Sequence, residues 1–116
     1  MNTKLICLVL CAVALSASAF TCNSKSVGLK FLQIPNNGGS VATCSGTPQC
    51  ISITGTYNGS PVAYKGCFQD YTDNVESYIS RPELLKPNTC AANKLQVANN
   101  AMTPVTLCSC SLSNCN

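Results

Sequence analysis

The clearest pattern along the chain is an alternation of β-branched, aromatic and polar residues on both sides of Asn58-Gly59, in the stretch CISITGTYNGSPVAYKGCF. Asn-Gly is the preferred pair for a type I′ turn, so the pattern predicts a hairpin with a two-residue loop. The register that follows pairs Tyr57 with Ser60, Ile53 with Tyr64 and Cys50 with Cys67. The two cysteines at the base either bond to each other or tie the hairpin to other parts of the chain.

Two further segments have strand-like patterns. Short strands are expected over residues 94–98 and 105–109, separated by a turn that contains Asn99, Asn100 and Pro104. Nearer the N-terminus, Val27, Leu29 and Phe31 alternate on one face before a turn at residues 35–39, and NNGGS at residues 36–40 is expected to be a flexible loop tip. The chain therefore contains three hairpin-like loops with cysteines at their bases.

Residues 69–89 have helical rather than strand spacing. Asp73 with Glu76 three residues later resembles a capping box, and Pro82 provides a stop. The apolar residues between these signals lie at helical spacing: Val75, Tyr78 and Ile79. We therefore predict a short helix over residues 74–80, whose apolar stripe packs on the sheet rather than binding a ligand.

The first 19 residues have the layout of a secretory signal peptide. Lys4 precedes an apolar run over residues 5–15, and small residues at Ala17 and Ala19 form an A-x-A cleavage site. The run is far shorter than the roughly 20 residues that span a bilayer, which argues against a membrane anchor. We expect cleavage after Ala19, secretion to the extracellular space, and one small domain over residues 20–116.

The cysteine count supports this division. Of ten cysteines, Cys7 and Cys11 lie in the signal peptide, which leaves eight: Cys22, Cys44, Cys50, Cys67, Cys90, Cys108, Cys110 and Cys115. An even set in a short exported chain is typical of four disulfides. The alternative is a metal site built on the last three cysteines, but an oxidising compartment and the absence of histidine argue against it. We expect neither a metal nor another cofactor.

Charge and composition narrow the classes of function. The six cationic residues of the expected mature domain are scattered along the sequence, which predicts no nucleic-acid partner: they are Lys25, Lys30, Lys65, Arg81, Lys86 and Lys94. The four acids fall within residues 70–83, which we expect to be a solvated surface: Asp70, Asp73, Glu76 and Glu83. Because the chain has no histidine, the usual general base is missing, and we expect no catalytic residues and no enzymatic activity.

The ending CSCSLSNCN, residues 108–116, resembles the terminal signature of the three-finger superfamily, which includes snake toxins and Ly-6/uPAR (LU) domains. In that family the last two cysteines enclose four residues and are followed by asparagine, as Cys110, Cys115 and Asn116 do here. The order of all eight mature cysteines also fits. The resemblance implies an all-β, small disulfide-rich fold in which three β-hairpin loops extend from a four-disulfide core.

The resemblance also implies which cysteines pair and what the last residue does. The implied disulfides are Cys22–Cys50, Cys44–Cys67, Cys90–Cys108 and Cys110–Cys115, and Asn116 is expected to hydrogen-bond to the finger backbone. The chain departs from the usual pattern in having Ser109 between two cysteines that are normally adjacent. The long stretch over residues 67–90 is instead similar to small secreted nematode cysteine-rich proteins of the ET-module kind.

Three-finger proteins are typically non-enzymatic binders, so the resemblance implies a secreted module that binds an extracellular receptor, channel or other protein. A lipid-anchor signal would need a hydrophobic tail, so neither a lipid nor a transmembrane anchor is expected. The alternative functions are a secreted protease inhibitor and a membrane-active defence protein. The candidate binding residues on the central hairpin are Tyr57, Asn58, Ser60, Tyr64 and Lys65, the alternative being that both tyrosines pack on the sheet.

Asn58-Gly59-Ser60 is also an N-x-S/T sequon on an expected exposed turn, so Asn58 is a candidate glycosylation site. Pro61 directly after the sequon disfavours occupancy. A glycan at Asn58 would shield the hairpin tip from a protein partner.

Overall fold

The computed structural model describes residues 19–116, so residues 1–18 of the expected signal peptide lie outside the described part of the chain. The described residues form a single six-stranded antiparallel sheet with the strand order β2-β1-β4-β3-β6-β5. The strands are β1 (Thr21–Val27), β2 (Asn37–Thr43), β3 (Cys50–Tyr57), β4 (Ser60–Cys67), β5 (Cys90–Ala98) and β6 (Ala101–Cys110). With one short α-helix and four disulfides, this confirms the expected small all-β, disulfide-rich class.

The strands form three adjacent hairpins, β1–β2, β3–β4 and β5–β6. Because β1 pairs antiparallel with β4 and β3 pairs antiparallel with β6, strands β1, β3 and β5 all run in one direction. The three loops that follow these strands therefore lie at the same end of the sheet, which we call the turn end. The cysteines lie near the opposite end, the disulfide end, where β3 begins at Cys50 and β4 finishes at Cys67.

The central hairpin has the predicted register, with Tyr57 opposite Ser60 and Cys50 opposite Cys67. Its two loop residues have positive φ angles, 51° at Asn58 and 78° at Gly59. Positive φ at both positions is what a type I′ turn requires, and Asn and Gly are the residues that adopt it at low cost. The local sequence was sufficient to predict this element.

The third hairpin has the expected strands but a shorter turn. Only Asn99 and Asn100 form the loop, and Pro104 lies within β6, opposite Lys94 of β5. The expectation that Pro104 belongs to the turn is therefore wrong. The β3–β6 ladder stops at the Gly55–Val105 pair, so Pro104 lies just beyond it.

The first hairpin differs more from its sequence pattern. Strand β1 stops before Gly28, whose φ of 71° turns the chain, and a 3₁₀-helix follows at Lys30–Leu32. Leu29 and Leu32 are buried, whereas Phe31 is half-buried, so the expected alternation through Phe31 is wrong.

The double glycine of NNGGS lies in a strand rather than in a flexible loop tip. Ser24 faces Ser40 and Ser26 faces Asn37, so Gly38 and Gly39 together face Lys25. This shift is a β-bulge in β2, where glycine tolerates the irregular backbone.

The helix is displaced from its predicted position. Helix α1 spans Phe68–Asn74, and the predicted segment 74–80 contains only a 3₁₀-helix at Glu76–Tyr78; a second 3₁₀-helix follows at Pro82–Leu84. The predicted capping residue Asp73 lies inside α1, where its carboxylate accepts a hydrogen bond from the Gln69 side chain at 3.0 Å. The helix lies earlier because it begins directly after β4 and buries Tyr71, a residue outside the predicted stripe.

The apolar residues of this connection pack on the sheet, as predicted. Tyr71, Val75 and Ile79 lie in one buried cluster with the core side chains of the strands, which include Ile51, Ile53, Val62, Tyr64, Leu95, Val105 and Leu107. Leu29 and Leu32 of the first loop join the same cluster. The rings of Phe31 and Tyr78 meet edge to face, with centroids 5.9 Å apart, and so link the two connections that cover this face.

The opposite side of the sheet, which we call the open face, has no helix or strand of residues 19–116 packed over it. Its side chains alternate with those of the core and, apart from Cys50 and Cys67, which are buried at the disulfide end, are exposed or half-buried. They include Lys25, Ser52, Thr54, Thr56, Ala63, Lys65, Ala92, Lys94 and Thr106.

The two edges of the sheet differ. At the β5 edge, the Ser80 N–H donates to the Lys94 carbonyl at 3.0 Å, and the Asn93 side chain makes two hydrogen bonds to the Arg81 backbone at 2.8 and 3.0 Å. The connection between β4 and β5 therefore lies along this edge. The β2 edge carries the glycine bulge and no such covering segment among the described residues.

Candidate binding surface

The disulfides fix the end of the sheet opposite the turns. The bonds are Cys22–Cys50, Cys44–Cys67, Cys90–Cys108 and Cys110–Cys115, the four pairs that the resemblance implies. Cys50 and Cys67 face each other across the hairpin, yet each bonds to the first hairpin, so the first and central hairpins are linked covalently. Such a disulfide-dense small domain is typical of oxidising compartments.

Asn116 reinforces this end. Its Nδ2 donates to the carbonyls of Asn23 and Ile51, both at 2.9 Å, and its Oδ1 accepts from the Asn23 N–H at 2.9 Å. One side chain thus joins β1 to β3, two strands that lie on either side of β4.

The sulfur atoms of the cysteines in residues 19–116 offer no ready metal centre. Two groups of three sulfurs lie within 4.8 Å of one another, Cys22 with Cys44 and Cys67, and Cys50 with Cys110 and Cys115. All six sulfurs are in disulfides, and it is the free thiolate that binds a metal.

The five candidate residues of the central hairpin do not form one site. Asn58 and Ser60 are exposed at the tip, where Asn58 is also accessible to a glycan, and Tyr57 is partly buried against the core. Lys65 lies nearer the disulfide end, on the open face.

Tyr64 is the clear correction among these candidates, because it is buried in the core. Burial raises the pKa of its hydroxyl above the ordinary value, and the nearby charge of Asp70 adds to the effect. A Cβ placed on Gly66 would come within 2.6 Å of the Tyr64 hydroxyl, so the glycine leaves room for the ring. The alternative that this tyrosine packs on the sheet is therefore the correct one.

The open face carries a feature that sequence reasoning missed. Lys25 of β1 lies directly opposite Lys65 of β4. The two lysines are distant in sequence and meet only because β1 and β4, which are not consecutive, are neighbours in the sheet. The cationic residues are therefore less scattered in the fold than along the chain, and no local sequence signal reports this.

The grooves of the described residues contain no arrangement of acids and bases. Four grooves in residues 19–116 are lined by no aspartate or glutamate side chain, and the one ion pair in this range joins exposed Arg81 and Glu83 at 3.0 Å.

None of the helices in residues 19–116 has the length and apolar character needed to cross a membrane. Comparison of the chain with protein-family models, with curated proteins and with solved structures found no significant match.

Proposed function

We propose that the protein is a secreted, non-enzymatic module that binds another extracellular protein through the loops at the turn end of its sheet. One observation carries the proposal: all three hairpin loops lie at the same end, and the opposite end is fixed by disulfides. Loops held in this way lose little conformational freedom on binding, which favours affinity.

The side chains at the turn end suit a protein contact. Asn58 and Ser60 are exposed there, and Tyr57, which packs in part against the core, is half-buried next to them in the chain. On the neighbouring hairpin, Met102 is 43% exposed two residues after the Asn99–Asn100 turn. Tyrosine and methionine are both enriched at protein interfaces.

A single substitution at the tip tests the proposal. We would express the mature domain with native disulfides, capture partners from the extracellular fluid of the source organism by cross-linking, and measure the affinity of each purified partner. Ser60→Arg places a bulky charge at the tip, and Thr47→Arg, which changes an exposed residue at the disulfide end, is the matched control. We expect Ser60→Arg to weaken binding by about tenfold or more, since one lost hot-spot contact costs that much.

The control should bind as the wild type does. Equal affinity of the two variants, or no protein captured above the level of a reduced and alkylated sample, would contradict the proposal. Capture of a protease whose activity the domain blocks would favour the inhibitor alternative, and lysis of lipid vesicles without a protein partner would favour the membrane-active one.

A further inference from the structure

The charges of the molecule are divided between the two sides of the sheet. Every charged residue within the six strands is a lysine, and all three of these lysines, Lys25, Lys65 and Lys94, lie on the open face. Three of the four acids, Asp70, Asp73 and Glu76, lie in α1 and the 3₁₀-helix after it, which cover the core face, and Glu83 lies in the segment along the β5 edge. The strand residues of the open face therefore include three lysines and no aspartate or glutamate, and the C-terminal residues Cys115 and Asn116 lie beside Lys65 at its disulfide end.

Two of these lysines lie at cross-strand positions where sheets usually avoid like charges. Lys25 and Lys65 are direct cross-strand neighbours, and like charges in such positions repel each other. Neither lysine has a carboxylate within ion-pairing distance among residues 19–116, where the one ion pair is Arg81–Glu83. Natural proteins depart from local rules of this kind mainly at functional sites.

The lysine pair borders a groove that is open to solvent. Strand β1 forms the floor, between β2 on one side and β4 on the other. The groove has a volume of about 350 Å³ and is lined by Asn23, Ser24, Lys25, Gly39, Ser40, Val41 and Lys65. Nothing lies within 4 Å of the position that a Cβ on Gly39 would occupy, so the bulged strand leaves the groove unobstructed on that side.

We propose that the open face binds a sulfated polysaccharide, with a sulfate group held between Lys25 and Lys65 and a more distant part of the chain held by Lys94. In the register of the sheet, Lys94 lies three strands across and four residues along from Lys65, which is about 20 Å. An extended polyanion spans that distance, whereas a single small anion does not.

The middle of the open face fits a glycan better than a protein. Between the lysines it presents the hydroxyl groups of Ser52, Thr54, Thr56 and Thr106, which can hydrogen-bond to sugars. None of the strand residues of the open face is aromatic or arginine, the side chains that anchor most protein interfaces, and its exposed large apolar side chains are Val41 and Met102. This site is separate from the turn end and does not depend on the function proposed above.

Immobilised heparin is a suitable probe. We would measure its affinity for the mature domain at near-physiological salt, and compare K25Q/K65Q with K30Q/K86Q, which removes two exposed lysines outside the strands and has the same net charge. K25Q/K65Q should bind about tenfold more weakly or worse, and the dependence of log affinity on log salt should fall by about two. K30Q/K86Q should lose less than about twofold.

Thermal unfolding separates loss of a site from loss of the fold. Because K25Q/K65Q removes a repulsive pair, its melting temperature should equal or exceed that of the wild type. Chemically desulfated heparin should not bind. The proposal is overturned if the two double variants lose affinity equally, if the wild type does not bind at near-physiological salt, or if polyglutamate or anionic lipid vesicles bind as tightly as heparin.

Discussion

At the scale of single residues, Asn116 has a larger structural role than its position in the sequence suggests. Its amide makes three hydrogen bonds to the backbone of Asn23 and Ile51. Truncating it leaves backbone groups of two strands without partners, in a part-buried position.

We therefore expect Asn116→Ala to lower the free energy of unfolding by about 1–3 kcal/mol, the usual cost of leaving buried polar groups unpaired. Urea denaturation of the purified domain measures this. Leu112→Ala is the control, because Leu112 is 75% exposed and its truncation should change stability little. Equal stability of Asn116→Ala and the wild type would show that the hydrogen bonds contribute nothing net.

In contrast to the Asn116 amide, the Tyr71 hydroxyl is buried and has no hydrogen-bond partner among residues 19–116. Removing an unpaired buried group relieves a penalty, so Tyr71→Phe should leave stability unchanged or raise it by about 1 kcal/mol. Tyr78→Phe, on the half-buried ring that meets Phe31, is the matched control. A loss of stability in Tyr71→Phe alone would indicate that the hydroxyl is satisfied by a buried water.

Because the Tyr71 hydroxyl is buried, we also expect the stability of the fold to decrease at alkaline pH. Burial, with a contribution from Glu76, raises the pKa of Tyr71 from 10.0 to about 12. The folded state thus holds the phenolic proton more tightly than the unfolded state, so the associated stability is complete below pH 10 and is lost as the pH rises towards 12. The urea midpoint should be lower at about pH 11 than at about pH 8, and the difference should be smaller in Tyr71→Phe, where the raised pKa of Tyr64 still contributes. The same fall in both proteins would contradict the assignment to Tyr71.

At the scale of elements, the central hairpin depends on the conformation of its turn. Gly59 has a φ of 78°, and nothing lies within 4 Å of an added Cβ. Gly38 also has open space, but its φ is not in the left-handed region. The two glycines therefore separate the effect of backbone conformation from that of crowding.

Gly59→Ala should cost about 1 kcal/mol, because a residue with a side chain is strained at that φ. Gly38→Ala should be close to neutral. Thermal unfolding of the two variants side by side provides the measurement, and equal melting temperatures would contradict the backbone explanation.

Local sequence predicted some elements and not others for physical reasons. The central hairpin was predictable because Asn58 and Gly59 alone determine its register. Helix α1 was misplaced because the Asp73–Glu76 signal is local, whereas burial of Tyr71 against the sheet is a tertiary effect. The candidate site was predicted only in part: the exposed tip at Asn58 follows from the turn, but the Lys25–Lys65 pair requires the order of strands, which no local pattern contains.

At the scale of the whole molecule, the disulfides join hairpins rather than close them locally. Cys50 and Cys67 are opposite each other and yet bond to Cys22 and Cys44. Replacing both Cys50 and Cys67 by alanine should therefore leave two thiols that alkylate or form a non-native bridge, whereas the wild-type mature domain should show none. Mass spectrometry of alkylated protein and non-reducing peptide mapping give the answer, and a Cys50–Cys67 peptide in the wild type would contradict this connectivity.

The two edges of the sheet also affect how readily molecules associate at high concentration. A long, regular and uncharged edge strand would recruit the edge of another molecule and begin a growing intermolecular sheet. Here the connection between β4 and β5 lies along the β5 edge. Strand β2 has no charged residue, but its paired glycines distort it. Deleting one of those glycines should straighten β2, and we expect the deletion variant to form fibrous aggregates more readily than the wild type at high concentration.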